Sequence, residues 1–366
     1  CCLPLFCEDL KEMKKHYKRK ETAMKKVFLA IAIMGIILCG CGQAQEENVK
    51  TESSETQKKE GVRIQSCEFP VDINAELYID SVYLQEKLQV LSLTKENNDF
   101  VLKRNVMSEV GGWEEYKEKI DGEYIERSDD ETASFSKIHK ESEDTLFALW
   151  QQCKFVKNEE DSFTRTYVKF GIVKIDVPSW DMKMLWTNDI DEKDAGAGVT
   201  DFGITDVGDF MMYFGQQQKI VKYTSQGEAK DEFDLKNSFR GAAQFNEDDI
   251  WGVSQENKTL IRYSYADGQV KKQSSTPIEM DENTQTWKIF GGLNENQYFC
   301  DEGQLYIIKE SEELEKVFSN EKLPEAVTDY VNSDTESKSY LIGPKVPDEG
   351  EKAKGNSVEL RVYVIV

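Results

Sequence analysis

The stretch DFMMYFGQQQKIVKYTSQGEAKDEFDL (residues 209–235) contains the pattern that decides the fold. An apolar strand is followed by a polar turn, a second strand of aromatic and β-branched residues, another polar turn and a third strand. The same order recurs in DIWGVSQENKTLIRYSYADGQVKKQS (249–274) and in QYFCDEGQLYIIKESEELEKVFS (297–319). The sequence therefore contains three copies of one β-rich unit.

The spacing between the copies is close to constant. Asp209 and Asp249, which begin the first two copies, lie 40 residues apart. A less regular strand precedes each copy, at residues 199–204, 241–245 and 288–293. Four strands in about 40 to 48 residues is the period of β-propeller blades, although W-D and kelch signatures are absent. We predict an all-β, β-propeller-like repeat of four-stranded blades, with a β-sandwich as the alternative.

The strand pattern extends to both sides of these copies. Further extended segments lie at residues 75–93, 99–106, 145–156, 166–177, 183–190, 339–345 and 358–366. Residues 113–126 (WEEYKEKIDGEYIE) are predicted to form a short helix or a hairpin. The β-propeller-like domain is expected to cover residues 62–366 with four to six blades. Its C-terminal apolar strand either closes the ring or marks an early stop of the reading frame.

An apolar segment near the N-terminus predicts the location of the protein. Residues 24–26 (MKK) precede fourteen uncharged residues, 27–40. This run is shorter than the roughly 20 residues that a membrane span needs, and it fits a secretory signal. The sequence LCGC (38–41) at its end resembles the bacterial lipobox. The resemblance implies cleavage after Gly40 and attachment of a diacylglycerol to Cys41.

Three segments would then precede the folded domain. We assign residues 24–40 to the lipoprotein signal peptide and 41–61 to a lipidated flexible tether, because the latter is polar and lacks apolar periodicity. Residues 1–23 are interpreted as a wrongly translated leader, since signal peptides begin at the N-terminus. This organisation predicts an extracytoplasmic protein on the outer face of the bacterial cytoplasmic membrane, with the membrane as a partner through the lipid.

The charge of the chain disfavours one class of partner. The whole chain has a net charge of −23, and residues 1–40 carry eight Lys or Arg but four Asp or Glu, so the mature chain carries −27. Nucleic acids are bound mainly by Lys and Arg, so we predict no nucleic-acid partner. The acidic surface suits cations or basic partners, and a solvated acidic shell is the alternative interpretation.

An aspartate-rich loop is the sharpest candidate for a metal site. In NDIDEKDAGAG (188–198), Asp189, Asp191 and Asp194 surround a glycine-rich turn. Calcium prefers several hard oxygen ligands on a flexible loop, so calcium is the one cofactor that the sequence suggests. The EF-hand pattern fails, however, because Thr200 stands where its last carboxylate belongs. A solvated loop between blades is the alternative.

Catalytic residues cannot be assigned from the sequence. His139 is the single histidine of the mature chain and lies in the polar run SKIHKESEDT, which argues against a histidine-based triad. Close carboxylate pairs must occur by coincidence in so acidic a chain, so their abundance does not identify a glycoside hydrolase. The catalytic and ligand-binding residues therefore stay unknown at this stage.

Tryptophans and cysteines have two interpretations each. Four tryptophans recur among the strands and either stack on ligands or, more commonly at such positions, pack between blades: Trp150, Trp186, Trp251 and Trp287. Three cysteines follow the lipobox and allow at most one disulfide: Cys67, Cys153 and Cys300. Their wide spacing disfavours a zinc site.

Together, the lipobox and the repeat resemble lipid-anchored β-propeller-like proteins of bacterial cell surfaces. The resemblance implies a scaffold that displays loops at one face of a ring, without specifying a ligand. We predict a non-enzymatic cell-surface binding or protein-interaction module with a protein or glycan ligand. One alternative is a carboxylate-dependent hydrolase or lyase of an extracellular polysaccharide. Another is an assembly factor or sensor of a membrane complex.

Overall fold

A computed structural model describes most of the predicted domain. It covers residues 62–366 except 74, 98, 109–111, 121–123, 126–130, 158–162, 236–242, 247–248, 255–257, 267–268, 279–287, 294–295, 302, 310, 312, 325–326, 334–337 and 347–358. The predicted leader, signal peptide, lipidation site Cys41 and tether lie outside the described residues. Within the part that is described, no helix has the length and apolar character needed to cross a membrane.

The described residues contain twenty-four strands in six antiparallel sheets of four. Blade 1 contains β2 (Leu77–Leu84), β3 (Lys87–Glu96), β4 (Asp99–Met107) and β5 (Trp113–Ile120). Blade 2 contains β6 (Glu131–Ser142), β7 (Thr145–Lys157), β8 (Phe163–Asp176) and β9 (Asp181–Asp189). Blade 3 contains β10 (Asp201–Ile204), β11 (Phe210–Phe214), β12 (Lys219–Tyr223) and β13 (Ala229–Asp234).

The remaining three blades follow the same plan. Blade 4 contains β14 (Ala243–Asn246), β15 (Asp249–Ser254), β16 (Thr259–Ala266) and β17 (Gln269–Pro277). Blade 5 contains β18 (Lys288–Leu293), β19 (Asn296–Asp301), β20 (Gln304–Ile308) and β21 (Leu314–Lys316). Blade 6 contains β22 (Asp329–Asn332), β23 (Ser339–Pro344), β24 (Leu360–Ile365) and, from the other end of the domain, β1 (Ile64–Glu68).

The six blades form a closed ring. The first strands of the blades, β2, β6, β10, β14, β18 and β22, contact one another in that order, and β22 returns to β2. We call the space that they enclose the axial channel. Blade 6 is completed by β1, which pairs antiparallel with β24 from Ile64 opposite Ile365 to Glu68 opposite Arg361. The predicted propeller fold is therefore confirmed, with six blades.

Two hairpin turns in blade 3 show how the repeat is encoded locally. In TDVGD and TSQGE, the hydroxyl groups of Thr205 and Thr224 accept hydrogen bonds from the backbone N–H four residues later, at 3.1 Å in both turns. Gly208 and Gly227 have φ angles of 79° and 84°, which glycine adopts without steric cost. The same Thr-x-x-Gly signal thus produces both turns.

Large aromatic side chains pack between the blades. Trp150, Trp186 and Trp251 are buried, and the rings of Trp186 and Tyr223 stack with centroids 5.5 Å apart. The packing role that was favoured for these three tryptophans agrees with their burial, whereas Trp287 lies outside the described residues.

The described cysteines at positions 67, 153 and 300 are all unpaired.

One predicted element was wrong. Residues 113–120 form neither a helix nor a hairpin but the single outer strand β5, which pairs with β4 along its whole length. Because β4 supplies hydrogen bonds throughout, β5 can keep a largely exposed, charged sequence. Arg104 on β4 also contacts β5. Its guanidinium lies 5.0 Å from the ring centroid of Tyr116 on β5 and 4.1 Å from that of Trp180.

Candidate functional site

Five ionisable side chains from five different blades lie close together on the innermost strands. They form what we call the axial cluster: Asp80 on β2, Lys137 on β6, Asp201 on β10, Lys288 on β18 and Asp329 on β22. The remaining innermost strand, β14, has the sequence AQFN and contributes no ionisable group. The ring fold thus joins residues that are up to about 250 positions apart in the sequence.

The carboxyl groups of Asp80 and Asp329 form the most buried part of the axial cluster. They are in hydrogen-bond contact with each other across the junction of blades 1 and 6. Asp80 also accepts hydrogen bonds from the backbone N–H of Ser81 at 3.0 Å and of Ile138 at 2.6 Å. Asp329 accepts one from the Tyr78 hydroxyl and one from its neighbouring backbone N–H, at residue 330, at 2.9 Å.

Two buried carboxyl groups in contact cannot both be charged without a large cost, so they share one proton. Burial, and next the charge of Asp329, raise the pKa of Asp80 well above its usual value. Burial alone would also raise the pKa of Asp329. The ammonium of Lys137 and the hydrogen bonds from Asp80 and Tyr78 outweigh burial, so the pKa of Asp329 is lowered. The contact thus separates the two carboxyl groups, with the pKa of Asp80 raised and that of Asp329 lowered.

The ammonium of Lys137 lies near both carboxyl groups but contacts neither at hydrogen-bond distance. Its Nζ lies 3.9 Å from Asp80 Oδ1 and 3.8 Å from Asp329 Oδ1. These distances are too long for hydrogen bonds, although the attraction raises the pKa of Lys137 above its ordinary value. A third of the side chain, 33%, stays accessible despite its place inside the ring. The Lys137 side chain is therefore only partly buried among the innermost strands.

Asp201 and Lys288 complete the axial cluster. Burial raises the pKa of Asp201 to about 6, although Lys137 and the hydrogen bond from the Phe202 N–H, at 2.9 Å, oppose this effect. Asp201 also accepts a hydrogen bond from the backbone of Phe245 in the next blade. Burial, and next the charge of Lys137, lower the pKa of Lys288. Perturbed groups of this kind that line a channel are typical of functional sites.

His139 lies beside the axial cluster but serves packing. Its ring is 5.9 Å from the ring of Phe202 in the neighbouring blade. Burial lowers the pKa of His139 to about 4, so the imidazole is neutral at physiological pH. His139 thus faces an aromatic side chain.

The predicted calcium residues lie in the loop between blades 2 and 3. Asp189 ends β9, and Asp191 is exposed. Asp194 is buried, and its Oδ2 lies 3.5 Å from Lys219 Nζ. Burial raises the pKa of Asp194, and Lys219 opposes that effect. No three His, Cys, Asp or Glu side chains in the described ranges are grouped closely enough to hold a metal, and the calcium assignment stays a prediction.

The sequence contains a weak signal for the axial cluster that motif searching does not detect. Asp80 interrupts the apolar strand LYIDSVYL, and Asp201, Lys288 and Asp329 each occupy the first position of a strand. A charged residue on a strand that packs at the centre of a ring loses much of its hydration, and this makes it conspicuous once the blades are aligned.

The comparisons with known proteins concern the fold. No family model and no curated protein matches the chain. A streptogramin B lyase structure matches at 9% identity and a TM-score of 0.49, over 84% of this chain and 98% of that chain. A catalytically inactive virginiamycin B lyase from Staphylococcus aureus with quinupristin matches at 10% and 0.46, over 83% and 99%. YCF48 bound to a D1 peptide matches at 8% and 0.47, over 83% and 96%. At these values the similarities carry no statement about what this chain binds.

Proposed function

We propose that this protein is a lipid-anchored extracytoplasmic binding module whose ligand enters the axial channel. The observation that carries the proposal is the convergence of the axial cluster. Five blades each place one ionisable side chain at the centre of the ring, and the Lys137 side chain is only partly buried there. Concave sites with a few converging polar groups of perturbed pKa are the usual binding sites of folded proteins.

The spacing of the carboxyl groups favours binding over hydrolysis. Asp80 and Asp329 are in direct hydrogen-bond contact. A retaining glycoside hydrolase needs its two carboxyl groups about 5–5.5 Å apart, and an inverting one about 6.5–9.5 Å. The most perturbed carboxyl pair of the described residues therefore lacks the geometry for either mechanism. The polysaccharide hydrolase or lyase and the assembly factor stay predictions from the sequence.

The anchor accounts for the position of the module in the cell. Cys41 would hold two acyl chains in the membrane, and about 20 residues would separate it from Val62, where the described chain begins. A flexible chain of that length has a root-mean-square span of roughly 25 Å. The propeller would thus stay within reach of other molecules at the membrane surface.

A binding assay combined with product analysis tests this proposal. We would titrate the full-length protein, purified in detergent, with calcium, short peptides, and neutral and acidic oligosaccharides, using isothermal titration calorimetry and then chromatography of each ligand. We expect saturable binding without a product, lost in Lys137→Gln and kept in the exposed control Lys117→Gln. Turnover of a ligand would replace the proposal with an enzyme. An unchanged affinity in a folded Lys137→Gln variant would place the binding site elsewhere.

A further inference from the structure

We propose that the axial channel binds an anionic group, a carboxylate or a phosphate, between the ammonium groups of Lys137 and Lys288. This inference rests on the proposed binding function and specifies the chemistry of its ligand. The argument compares the hydrogen-bond acceptors and the donors that the axial cluster offers.

The acceptors of the axial cluster are occupied by the protein itself. Asp80 accepts the backbone N–H of Ile138 from blade 2, at 2.6 Å. Asp201 accepts the backbone of Phe245 from blade 4. Asp329 accepts the hydroxyl of Tyr78 from blade 1. Each aspartate thus connects its own blade to a neighbouring one, and its oxygens are committed to holding the ring together.

The donors of the axial cluster are largely uncommitted. An ammonium group carries three N–H donors and has no acceptor. Lys137 approaches its two carboxyl partners only to 3.8 and 3.9 Å, and it forms no hydrogen bond with a described residue. Lys288 forms neither an ion pair nor a hydrogen bond within the described ranges, although the charges of Asp329, Asp201 and Asp80 act on it. A ligand for this channel must therefore supply acceptors.

The charge balance of the axial cluster permits an anion. Because the hydrogen-bonded carboxyl groups of Asp80 and Asp329 share a proton, the negative charge of the three carboxyl groups is reduced beside the two lysines. The axial cluster is therefore less repulsive to an anion than the acidic exterior of the chain. Burial lowers the pKa of the partly buried Lys288, and a bound anion would stabilise its charged form.

Matched ligands and matched variants test the inference. We would titrate the full-length protein in detergent with inorganic phosphate, D-galacturonate and D-galactose, by isothermal titration calorimetry. Galacturonate and galactose differ in one carboxylate, so they isolate the anionic group, while phosphate alone tests a free anion. The variants are Lys288→Met and, as a control, Lys222→Met. Lys222 is a buried lysine of another blade, and it is paired with Asp209 at 3.0 Å.

We expect phosphate or galacturonate to bind and galactose to bind at least about tenfold more weakly. Lys288→Met should lose about tenfold or more of the anion affinity with an unchanged or higher melting temperature, because it removes a partly buried charge that has no ion-pair partner among the described residues. Lys222→Met should melt at a lower temperature and keep the anion affinity.

The outcomes separate this inference from the proposed function. Equal binding of galactose and galacturonate, retained in Lys288→Met and lost in Lys137→Gln, would overturn the anionic ligand while leaving a binding channel. Absence of binding by every ligand that is tried would overturn both. Binding of galacturonate but not phosphate would support an acidic saccharide, and the reverse would support a free or phosphorylated anion.

Discussion

Asp201 is one of the carboxyl groups through which the axial cluster makes folding depend on pH. Its folded pKa of about 6 lies above the value of about 3.9 for an unfolded aspartate. Between pH 4 and 6 the folded state therefore binds more protons at Asp201 than the unfolded state, and this contribution to the free energy of unfolding falls as the pH rises. Above pH 6 the charged, partly buried carboxylate keeps the protein less stable.

Asp201→Asn should remove this cost. Asparagine keeps an acceptor for the Phe202 N–H but cannot ionise, so we expect the free energy of unfolding at pH 7 to rise by about 1–2 kcal/mol and its slope between pH 4 and 6 to flatten. Urea denaturation at pH 5 and pH 7 measures both. The exposed control Asp181→Asn should change neither value. A less stable Asp201→Asn at pH 7 would contradict the account.

His139 affects the free energy of unfolding in the opposite direction to Asp201, over an overlapping pH range. Its folded pKa of about 4 lies below the unfolded value of about 6.5, so the folded state binds fewer protons in between and loses stability as the pH falls from 6.5 to 4. His139→Leu, which keeps an apolar contact with Phe202, should reduce this acid loss by roughly 1–3 kcal/mol at pH 4. Urea titrations from pH 4 to 7 test it. An unchanged acid slope would mean that His139 is protonated in the fold.

Single residues show why the site could not be predicted from the sequence. Asp80 and Asp329 are 249 positions apart, and neither belongs to a motif. Their contact follows from ring closure, which depends on the number of blades, and the strand pattern left that number between four and six. The aspartates of the loop at 189–194 form a visible motif, yet they bring no three ligands together in the described structure. The calcium assignment of that loop stays a prediction.

At the scale of the element, β1 completes a blade that lies at the other end of the domain. Ile64 is fully buried on this strand and packs with Leu341 and Tyr363 of blade 6. Ile64→Ala should lower the free energy of unfolding by about 2–4 kcal/mol, the usual cost of such a truncation in a core. The control Glu68→Ala, at the exposed end of the same strand, should change it by about 0.5 kcal/mol or less. Equal effects in urea denaturation would show that β1 does not hold the ring closed.

The strands themselves were largely predictable. Residues 145–156 and 339–345 each contain a short apolar run with polar residues beside it, and they correspond to β7 and β23 with ends that differ by a residue. The prediction failed at β5 because WEEYKEKI is rich in charge and owes its extended form to pairing with β4. The prediction also missed the role of β1, because no local sequence pattern indicates that an N-terminal strand pairs with the last blade.

At the scale of the whole molecule, ring closure rests on two devices. One is the pairing of β1 with β24, and the other is the contact of Asp80 and Tyr78 in blade 1 with Asp329 in blade 6. Strand β1 closes the ring at the outer edge of blade 6, and the pair of Asp80 and Asp329 closes it on the innermost strands. The axial channel is thus bounded by the same groups that hold the first and last blades together, so ligand binding and ring stability are expected to be coupled.

The proposed membrane anchor is also tested at the scale of the whole molecule. Cys41→Ser should shift the protein from the membrane fraction to the soluble fraction, because serine cannot accept the diacylglycerol thioether. The matched control Cys39→Ser keeps a small residue before Gly40 and removes only a cysteine of the signal peptide, so its product should stay in the membrane fraction. Fractionation with immunoblotting measures both. Membrane retention of Cys41→Ser would disprove the lipid anchor.

The most direct test of the central claim is a crystal structure of the protein with saturating D-galacturonate or inorganic phosphate, whichever binds in solution. The account predicts ligand density in the axial channel, with the anionic group within hydrogen-bond distance of the ammonium groups of Lys137 and Lys288. Density at another surface, with an empty channel in a protein that binds the ligand in solution, would contradict it.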